Sequence, residues 1–308
     1  MRGYERMLLA ALCAVTLLTA CNGRRGLQPS SGGRPYEVLV VGDRDSTVAR
    51  ALSKDVPGLS QPEPAFDVST CDSAHFKNAL RLARAIVIVT IDPQAASRLR
   101  MRYEKDVWAQ PQTVVYITAA DTKMLESQMA GQATALCNLL TRAEINAELT
   151  RLKHHRNIEM ERKVNRMSGL RIMIPEEMTA SKSGRDFLWM SNNGTQTMTN
   201  IAIYRADKAM PFTAARDSAL RKNILGETDA MYMATVPTTV AAQRETLRGQ
   251  RVTVYRGLWQ MEGDAMGGPF VARRIGDWIV EAFVFAPGKE KRNTMRRLEA
   301  ALMSEWND

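Results

Sequence analysis

Three short apolar runs in the first 120 residues constrain the fold most. Residues 36–41, 85–91 and 113–118 are rich in Val and Ile, and the first two end directly before Gly-Asp and Asp-Pro. Unbroken apolar runs of this length, bounded by turn residues, are typical of strands that are buried on both faces. Segments with helical patterns separate the runs, and strands that alternate with helices favour a mostly parallel sheet. We therefore predict an N-terminal α/β layer.

Helical patterns fill the spaces between these strands. The predicted helices cover residues 46–56, 72–84 and 93–109, and residues 66–70 predict a further short strand. Asp92-Pro93 supplies a good cap and first residue for the third helix. From Asp121 a helical pattern continues to Ser168, and Gly169 follows, as is common after a helix end. We predict one long helix over residues 121–168 that connects two halves of the chain.

The second half of the chain has a different pattern, in which one strand follows another. The predicted strands cover residues 170–174, 186–191, 197–205, 229–236, 251–260, 269–274 and 278–285. Asn192-Asn193-Gly194 is a strong hairpin turn. The predicted helices here cover residues 213–225, 238–247 and 289–306. Hairpins with helices between them predict an α+β half on an antiparallel sheet.

The predicted fold class is therefore α/β to α+β. An N-terminal α/β layer with mostly parallel strands is followed by a long connecting helix and a C-terminal antiparallel sheet with helices. The predicted divisions are a signal, a tether, an α/β half, a connecting helix and an α+β half, over residues 1–20, 21–35, 36–120, 121–168 and 169–308.

The first 21 residues have the features of a secretory lipoprotein signal. Arg2 and Arg6 precede an apolar run over residues 7–18, and Leu18-Thr-Ala-Cys21 follows. A basic region, a short apolar region and small residues before the cut are typical of a signal peptide. A membrane-spanning helix needs about 20 apolar residues, which is more than this run offers. We expect cleavage before Cys21 and acyl chains, palmitate among them, that anchor Cys21 in a membrane.

The residues after Cys21 predict both a flexible tether and the membrane to which the protein is anchored. Residues 21–35 are rich in Gly, Ser, Pro and Arg, which is typical of a flexible linker. Asn22 follows the anchor and no acidic run comes after it, which in Gram-negative bacteria favours the outer membrane. We therefore predict a lipid-anchored protein of the cell envelope that faces the periplasm from the outer membrane.

The charge of the chain bears on its partners. The formal net charge is +9, which in a cytosolic protein would favour nucleic-acid binding. An envelope lipoprotein does not routinely meet nucleic acid, so we predict no such partner. Anionic lipid headgroups or acidic wall polymers suit a basic surface better. The alternative is a basic, solvated surface without a partner.

Two cysteines remain when Cys13 leaves with the signal and Cys21 is acylated. Cys71 and Cys137 are an even pair in a compartment that permits disulfides. A bridge between them would stabilise the fold by about 4 kcal/mol. Two free thiols are an equal alternative. His75, four residues after Cys71, also raises a Cys–His nucleophile as a weaker alternative.

Sequence motifs of catalysis are absent from the chain. It has no His-Glu-x-x-His, no Cys-x-x-Cys, no Gly-x-Ser-x-Gly and no phosphate-binding Gly-x-x-x-x-Gly-Lys-Ser/Thr. His155 and Glu159 are one helical turn apart, but they supply too few ligands for a zinc site of about four. We predict no metal site, no cofactor and no catalytic residue.

Several motifs together resemble an uncharacterised lipoprotein family of Bacteroidota. Besides the signal they are Arg34-Pro-Tyr-Glu-Val-Leu-Val-Val, Gln61-Pro-Glu-Pro-Ala-Phe66, Arg185-Asp-Phe-Leu-Trp189, Gly268-Pro-Phe-Val271 and Glu281-Ala-Phe-Val-Phe-Ala-Pro-Gly-Lys-Glu-Lys-Arg292. That family carries a domain-of-unknown-function label. The resemblance implies a location in the envelope and supplies no catalytic residue.

These observations favour a non-catalytic binding or assembly factor in the periplasm. Arg185, Asp186 and Trp189 are its predicted surface for an envelope protein partner. The alternative is a cell-envelope hydrolase that acts on wall or glycan material. Such an enzyme needs two carboxyl groups about 5 to 10 Å apart. The carboxylates considered for that site are Glu63, Asp67, Asp186 and Glu281.

Overall fold

The computed structural model describes residues 28–94, 97–228, 230–247 and 250–304. They form two sheets, one in each half of the chain. The predicted fold class is confirmed: a mostly parallel sheet, a long helix and an antiparallel sheet with helices follow one another. The predicted signal, the Cys21 anchor and the start of the predicted tether lie outside the described residues.

The N-terminal sheet has five strands in the order β2-β1-β3-β5-β4. The strands are β1 Glu37–Val41, β2 Asp67–Cys71, β3 Ala85–Ile91, β4 Arg100–Lys105 and β5 Thr113–Ala119. All neighbours are parallel except β4, which runs antiparallel to β5. The carboxyl ends of β1, β3 and β5 therefore meet at one edge of the sheet, which we call the carboxyl edge.

Helices cover one face of this sheet. They are α1 Thr47–Leu52 and α2 Thr122–Leu152. The side chain of Asp121 accepts a hydrogen bond from the Met124 amide and caps α2. The core under the helices includes Val40, Val87, Val115, Ile117, Leu52, Leu125, Met129 and Leu136. Because the inward positions of the strands alternate, Leu39, Val41, Ile86 and Val114 form a second core on the other face.

No helix covers that second face among the described residues. The predicted helix over residues 72–84 is wrong, because two short 3-10 turns, Ser73–His75 and Asn78–Leu82, stand there. Asn78 has a φ of +52°, a left-handed conformation that interrupts a helix. The predicted helix over residues 93–109 is also wrong, because Arg100–Lys105 pairs with β5 and completes the sheet. Phe76, Ala83, Val107 and Trp108 pack on this open face from outside the strands.

The C-terminal sheet has seven antiparallel strands in the order β6-β7-β8-β12-β11-β10-β9. The strands are β6 Ala180–Ser183, β7 Phe187–Ser191, β8 Met198–Arg205, β9 Met233–Leu247, β10 Gln250–Met261, β11 Gly267–Ile275 and β12 Trp278–Phe285. The helices are α3 Ile158–Ser168, α4 Phe212–Asn223 and α5 Arg292–Leu302. None of the helices in the described ranges is both long and apolar enough to cross a membrane.

Both faces of the C-terminal sheet are covered. Helices α3 and α5 and residues 170–178 pack on one face, around Ile201, Val280 and Leu298. Helix α4 packs on the other, where its Phe212 stacks on Tyr255 with ring centres 3.8 Å apart. The sheet is therefore the middle layer of three.

Three predictions for this region need correction. The long helix is confirmed as α2, but residues 153–157 separate it from α3, which Asn157 caps through the Met160 amide. Residues 170–174 form no strand, although all of them except Arg171 are buried, and the Met173 amide donates to Ser304 Oγ. The predicted helix over residues 238–247 is wrong, because β9 continues through it in a hairpin with β10.

Strand β9 is an outer edge of the C-terminal sheet, and its ladder is interrupted. Its register with β10 shifts, so that Ala241 pairs with Arg256 while Val236 pairs with Leu258. Pro237 lies in the extra stretch of β9. Thr239 Oγ1 accepts a hydrogen bond of 2.8 Å from the Leu258 amide and holds that stretch against β10.

The two halves meet where the loop of residues 57–66 contacts the start of α5. Glu63, 3% exposed, accepts hydrogen bonds from the Lys291 and Arg292 amides at 2.8 and 2.7 Å. The Arg292 guanidinium is 2.7 Å from Asp67 and 2.6 Å from the Pro64 carbonyl oxygen. Two motifs that carry the family resemblance thus hold the halves together.

Candidate functional site

A large polar groove lies at the carboxyl edge of the N-terminal sheet. Its volume is about 840 Å³. Its polar lining is Asp92, Gln94, Arg98, Arg100, Arg102, Tyr116, Thr118 and Gln132. Open α/β sheets bind ligands outside the carboxyl ends of their strands, so the position itself favours binding.

Three arginines give the groove its charge. Arg100 and Arg102 lie on β4, opposite Thr118 and Tyr116 on β5. The Arg102 guanidinium is 3.8 Å from the centre of the Tyr116 ring and also pairs with Glu104. Burial, together with the Glu104 charge, raises the pKa of Tyr116, so this ring stays neutral.

The other two guanidinium groups are available to a ligand. Arg98 and Arg100 are exposed, and within the described ranges neither forms an ion pair, while Asp92 in the same lining accepts a hydrogen bond from the Gln94 amide. The Leu99 amide between them donates to Gln128 Oε1 at 2.8 Å, which ties this segment to α2. Planar guanidinium groups match the oxygens of phosphate and carboxylate in pairs. The groove is therefore suited to an anionic ligand.

A second open groove, of about 540 Å³, lies at one end of the C-terminal sheet. Lys208 Nζ is 2.8 Å from Asp277, and Arg205 is 3.7 Å from Asp277 and 3.9 Å from Asp186. The hydrogen bond and charge of Lys208 lower the pKa of the Asp277 carboxyl. Acids and bases pair with one another here, so this groove offers less uncompensated charge than the first.

The structure brings together two of the three predicted partner residues. Arg185 and Asp186 are exposed directly before β7, and Asp186 lines the second groove. Trp189 lies apart from them on the α4 side of the sheet, where it is half-buried. Its Nε1 donates to Asn200 Oδ1 at 3.0 Å. The role of these residues in partner binding remains a prediction.

Both remaining cysteines are free thiols. Cys71 packs on the open face of the N-terminal sheet, while Cys137 packs on the helical face, with Sγ 3.7 Å from the Ala51 carbonyl oxygen. The sheet separates them, which supports the free-thiol alternative over a bridge. Burial raises the pKa of both thiols, and the Asp72 charge adds to the rise at Cys71. His75 is 3.7 Å from Asp72, which it can pair with when protonated.

The carboxylates considered for a hydrolase are engaged with other groups. Glu63 and Asp67 hold α5, as described above. Glu281 and Arg216 are fully buried, and the Arg216 Nε is 3.0 Å from Glu281 Oε2. Tyr204 donates to the same oxygen at 2.8 Å, and burial raises the pKa of Tyr204 well above its usual value. This network closes the α4 side of the core and does not face an open site.

His155 and Glu159, the pair considered as metal ligands, bind different partners. His155 Nδ1 is 3.0 Å from Glu176, whereas Glu159 pairs with Lys163 at 3.0 Å. Across the part of the chain that the structure describes, no group of three or more His, Cys, Asp or Glu side chains is placed to hold a metal ion.

Sequence reasoning missed the groove and the buried network, although signals for both exist. Arg100-Met101-Arg102 alternates with the period of a strand, in a stretch that was given to a helix. Glu281 lies in phase with Ile279 and Phe283, which places its carboxylate on an apolar face. A charged residue at such a position needs a buried partner.

Comparisons with known families divide the chain at the end of α2. Residues 31–153 match the model of a domain of unknown function, DUF8532, and residues 157–304 match that of another, DUF4837. No curated protein matches the chain. The expected resemblance to domains of unknown function is confirmed in this form, while the bacterial group and the lipid attachment remain predictions. The chain is thus similar, half by half, to two domain families of unknown function.

Proposed function

We propose that this chain is a lipid-anchored protein of the cell envelope whose body binds an anionic ligand in the carboxyl-edge groove. The predicted signal and Cys21 support the location. The observation that carries the binding role is the pair Arg98 and Arg100, two exposed guanidinium groups without an acidic partner at the edge where such sheets bind ligands. The protein would thus act as a binding factor that faces the periplasm.

The groove also indicates what kind of ligand it holds. Arg102 stacks on Tyr116, which fixes one more cation at the wall. Gln94, Thr118 and Gln132 add neutral hydrogen-bonding groups. Several cations along an open groove suit a chain of anionic groups better than a single small ion. An acidic polymer of the wall or envelope, with phosphates or carboxylates, fits this chemistry.

The hydrolase alternative receives less support from the geometry. Glu63, Asp67 and Glu281 are bound to helix amides or guanidinium groups, and Asp186 is exposed beside Arg205. Carboxylates that are already bound in this way are not placed to act together on a substrate. The binding role is therefore the better supported of the two.

The binding role is tested with the mature chain and two polymers, a short polyphosphate and an oligogalacturonate, by calorimetry at low salt. The double variant Arg98→Gln/Arg100→Gln should weaken binding of the preferred polymer at least tenfold, since each charged hydrogen bond contributes about 1.5–3 kcal/mol. Arg142→Gln/Arg166→Gln, which removes two exposed charges elsewhere, is the matched control. Equal affinity of both variants, or no binding by the wild-type chain, would refute the proposal that the groove binds an anionic polymer.

The location is tested separately. Mass spectrometry of the N-terminal peptide from envelopes should find acyl chains on Cys21, and Cys21→Ala should release the chain from the membrane fraction. An unmodified Cys21 with an intact N-terminal segment would contradict the anchor without bearing on the groove.

A further inference from the structure

The first observation is the composition of the open face near the amino ends of its strands. Phe76 and Trp108 meet edge to face at 5.5 Å, and the Arg81 guanidinium is 5.8 Å from the first ring and 5.6 Å from the second. Both rings are half-buried and Arg81 is exposed. An aromatic pair topped by a cation, on a sheet face without a helix, is left accessible to a partner.

The second observation is where the chain enters the fold. The Gln28 amide group donates to the Asp106 carbonyl oxygen at 2.7 Å, and the Gln110 amide donates to Pro29 at 2.9 Å. The Gly32 amide donates to Leu82 at 2.7 Å. Residues 28–32 are thus fixed between the two segments that carry Trp108 and Arg81. This part of the predicted tether is bound to the body.

The remaining tether is short. Gln28 is the seventh residue after Cys21, and seven residues span at most about 25 Å when fully extended. With Cys21 in the membrane, as the proposed function requires, Trp108 and its neighbours cannot move far from the headgroups. Arg24 and Arg25 add two basic residues to the same short segment.

The third observation is charge. Lys77 and Arg81 are exposed beside the aromatic pair, and no acidic side chain of the described ranges pairs with them. The nearby carboxylate of Asp106 accepts a hydrogen bond of 2.8 Å from the Gln112 amide and is held by its own loop. Leu80 adds an apolar side chain that is 38% exposed. Basic residues with Trp and Leu between them are typical of surfaces that lie on anionic lipid.

We propose that Lys77, Leu80, Arg81 and Trp108 form a docking surface for the anionic headgroups of the membrane that holds Cys21. The acyl chains then supply attachment and this surface supplies orientation. The body lies with the amino ends of the N-terminal strands toward the lipid, and the carboxyl-edge groove points away from it. The proposal rests on the anchor in the proposed function and is independent of the groove's ligand.

The test uses the full chain with Cys21→Ala, which carries no lipid, and vesicles of phosphatidylglycerol or phosphatidylcholine. The wild-type body should bind the anionic vesicles and not the zwitterionic ones, with affinity that falls as salt rises. Lys77→Glu/Arg81→Glu should lower that affinity about 25-fold or more, since each basic residue near the surface changes binding about fivefold.

The matched control makes the same change of charge on the opposite side of the sheet. Lys123 and Arg142 are exposed on α2, and their replacement by Glu should cost much less affinity. An equal loss in both double variants would overturn the surface in favour of net charge alone. No vesicle binding by the wild-type body would also overturn it, and would leave this face to a protein partner. Acylation of Cys21 is measured separately, so failure of the anchor is distinguishable from failure of the surface.

Discussion

The two sheets use arginine in opposite ways. In the C-terminal sheet, which is covered on both faces, Arg216 is fully buried, with Glu281, Thr235 and the Phe270 ring around its guanidinium. On the open face of the N-terminal sheet, Arg81 and Arg102 lie over aromatic rings and remain exposed. Where a helix covers the sheet, a cation must be neutralised to be tolerated. Where the helix is missing, the cation stays exposed to solvent.

The largest expected effect comes from breaking the buried pair. Glu281→Gln should lower the free energy of unfolding by about 3–5 kcal/mol, because it removes the closest counter-charge of the buried Arg216 and leaves only Asp217, 3.8 Å away and partly exposed. Urea unfolding measures it. Arg216→Met/Glu281→Leu should recover much of the loss, since it removes both charges. A loss below about 1 kcal/mol in the single variant would contradict the claim that a cation on the covered face must be neutralised.

The contact between the halves should matter less. Glu63→Gln should cost about 1–3 kcal/mol, because a neutral amide is a weaker acceptor for the buried Lys291 and Arg292 amides. The same urea titration detects it, and loss of cooperativity would show that the halves separate. Exposed Glu290, changed to Gln, is the matched control at the same helix start. Equal losses at the two positions would contradict a role for Glu63 in joining the halves.

On the open face the expected cost is smaller still. Arg102→Ala should lower the free energy of unfolding by about 0.5–1 kcal/mol, the usual range for an exposed cation over an aromatic ring. Arg81→Ala should fall in the same range or below. If either variant is as unstable as Glu281→Gln, these arginines are structural and the contrast between the sheets fails.

The thiols give the smallest expected effect and sharpen the description of the N-terminal sheet. Mild oxidation should leave the mass and stability of the folded chain unchanged, because the sheet lies between Cys71 and Cys137. Alkylation should be slow at pH 7 and faster as pH rises, since burial raises the pKa of both thiols and the thiolate is the reactive form. A loss of two mass units in the folded monomer would show a bridge and contradict this arrangement.

Elements whose burial shows in the local sequence were predicted correctly, whereas strands that depend on pairing with distant parts of the chain were missed. Residues 85–91 match β3 at both ends because a strand buried on both faces is apolar throughout. Residues 93–109 and 238–247 were given to helices, yet each pairs with a strand elsewhere in the chain and the pairing overrides local preference. The wrong helix over residues 93–109 also hid the groove, because Arg100 and Arg102 lie on β4. The contact of Glu63 with Arg292 spans 229 positions, so no local pattern indicates it.

The interrupted ladder of β9 has a consequence for many copies of this chain at once. Proteins fixed to one leaflet diffuse in two dimensions, where collisions between like edges are frequent. A long outer strand of 15 residues is a template for pairing with another copy. Pro237 lacks an amide hydrogen, and the bulge around Thr239 divides the strand into two shorter ladders. For the proposed lipid-anchored form, we therefore expect that many copies can crowd on one membrane without their edges joining into fibres.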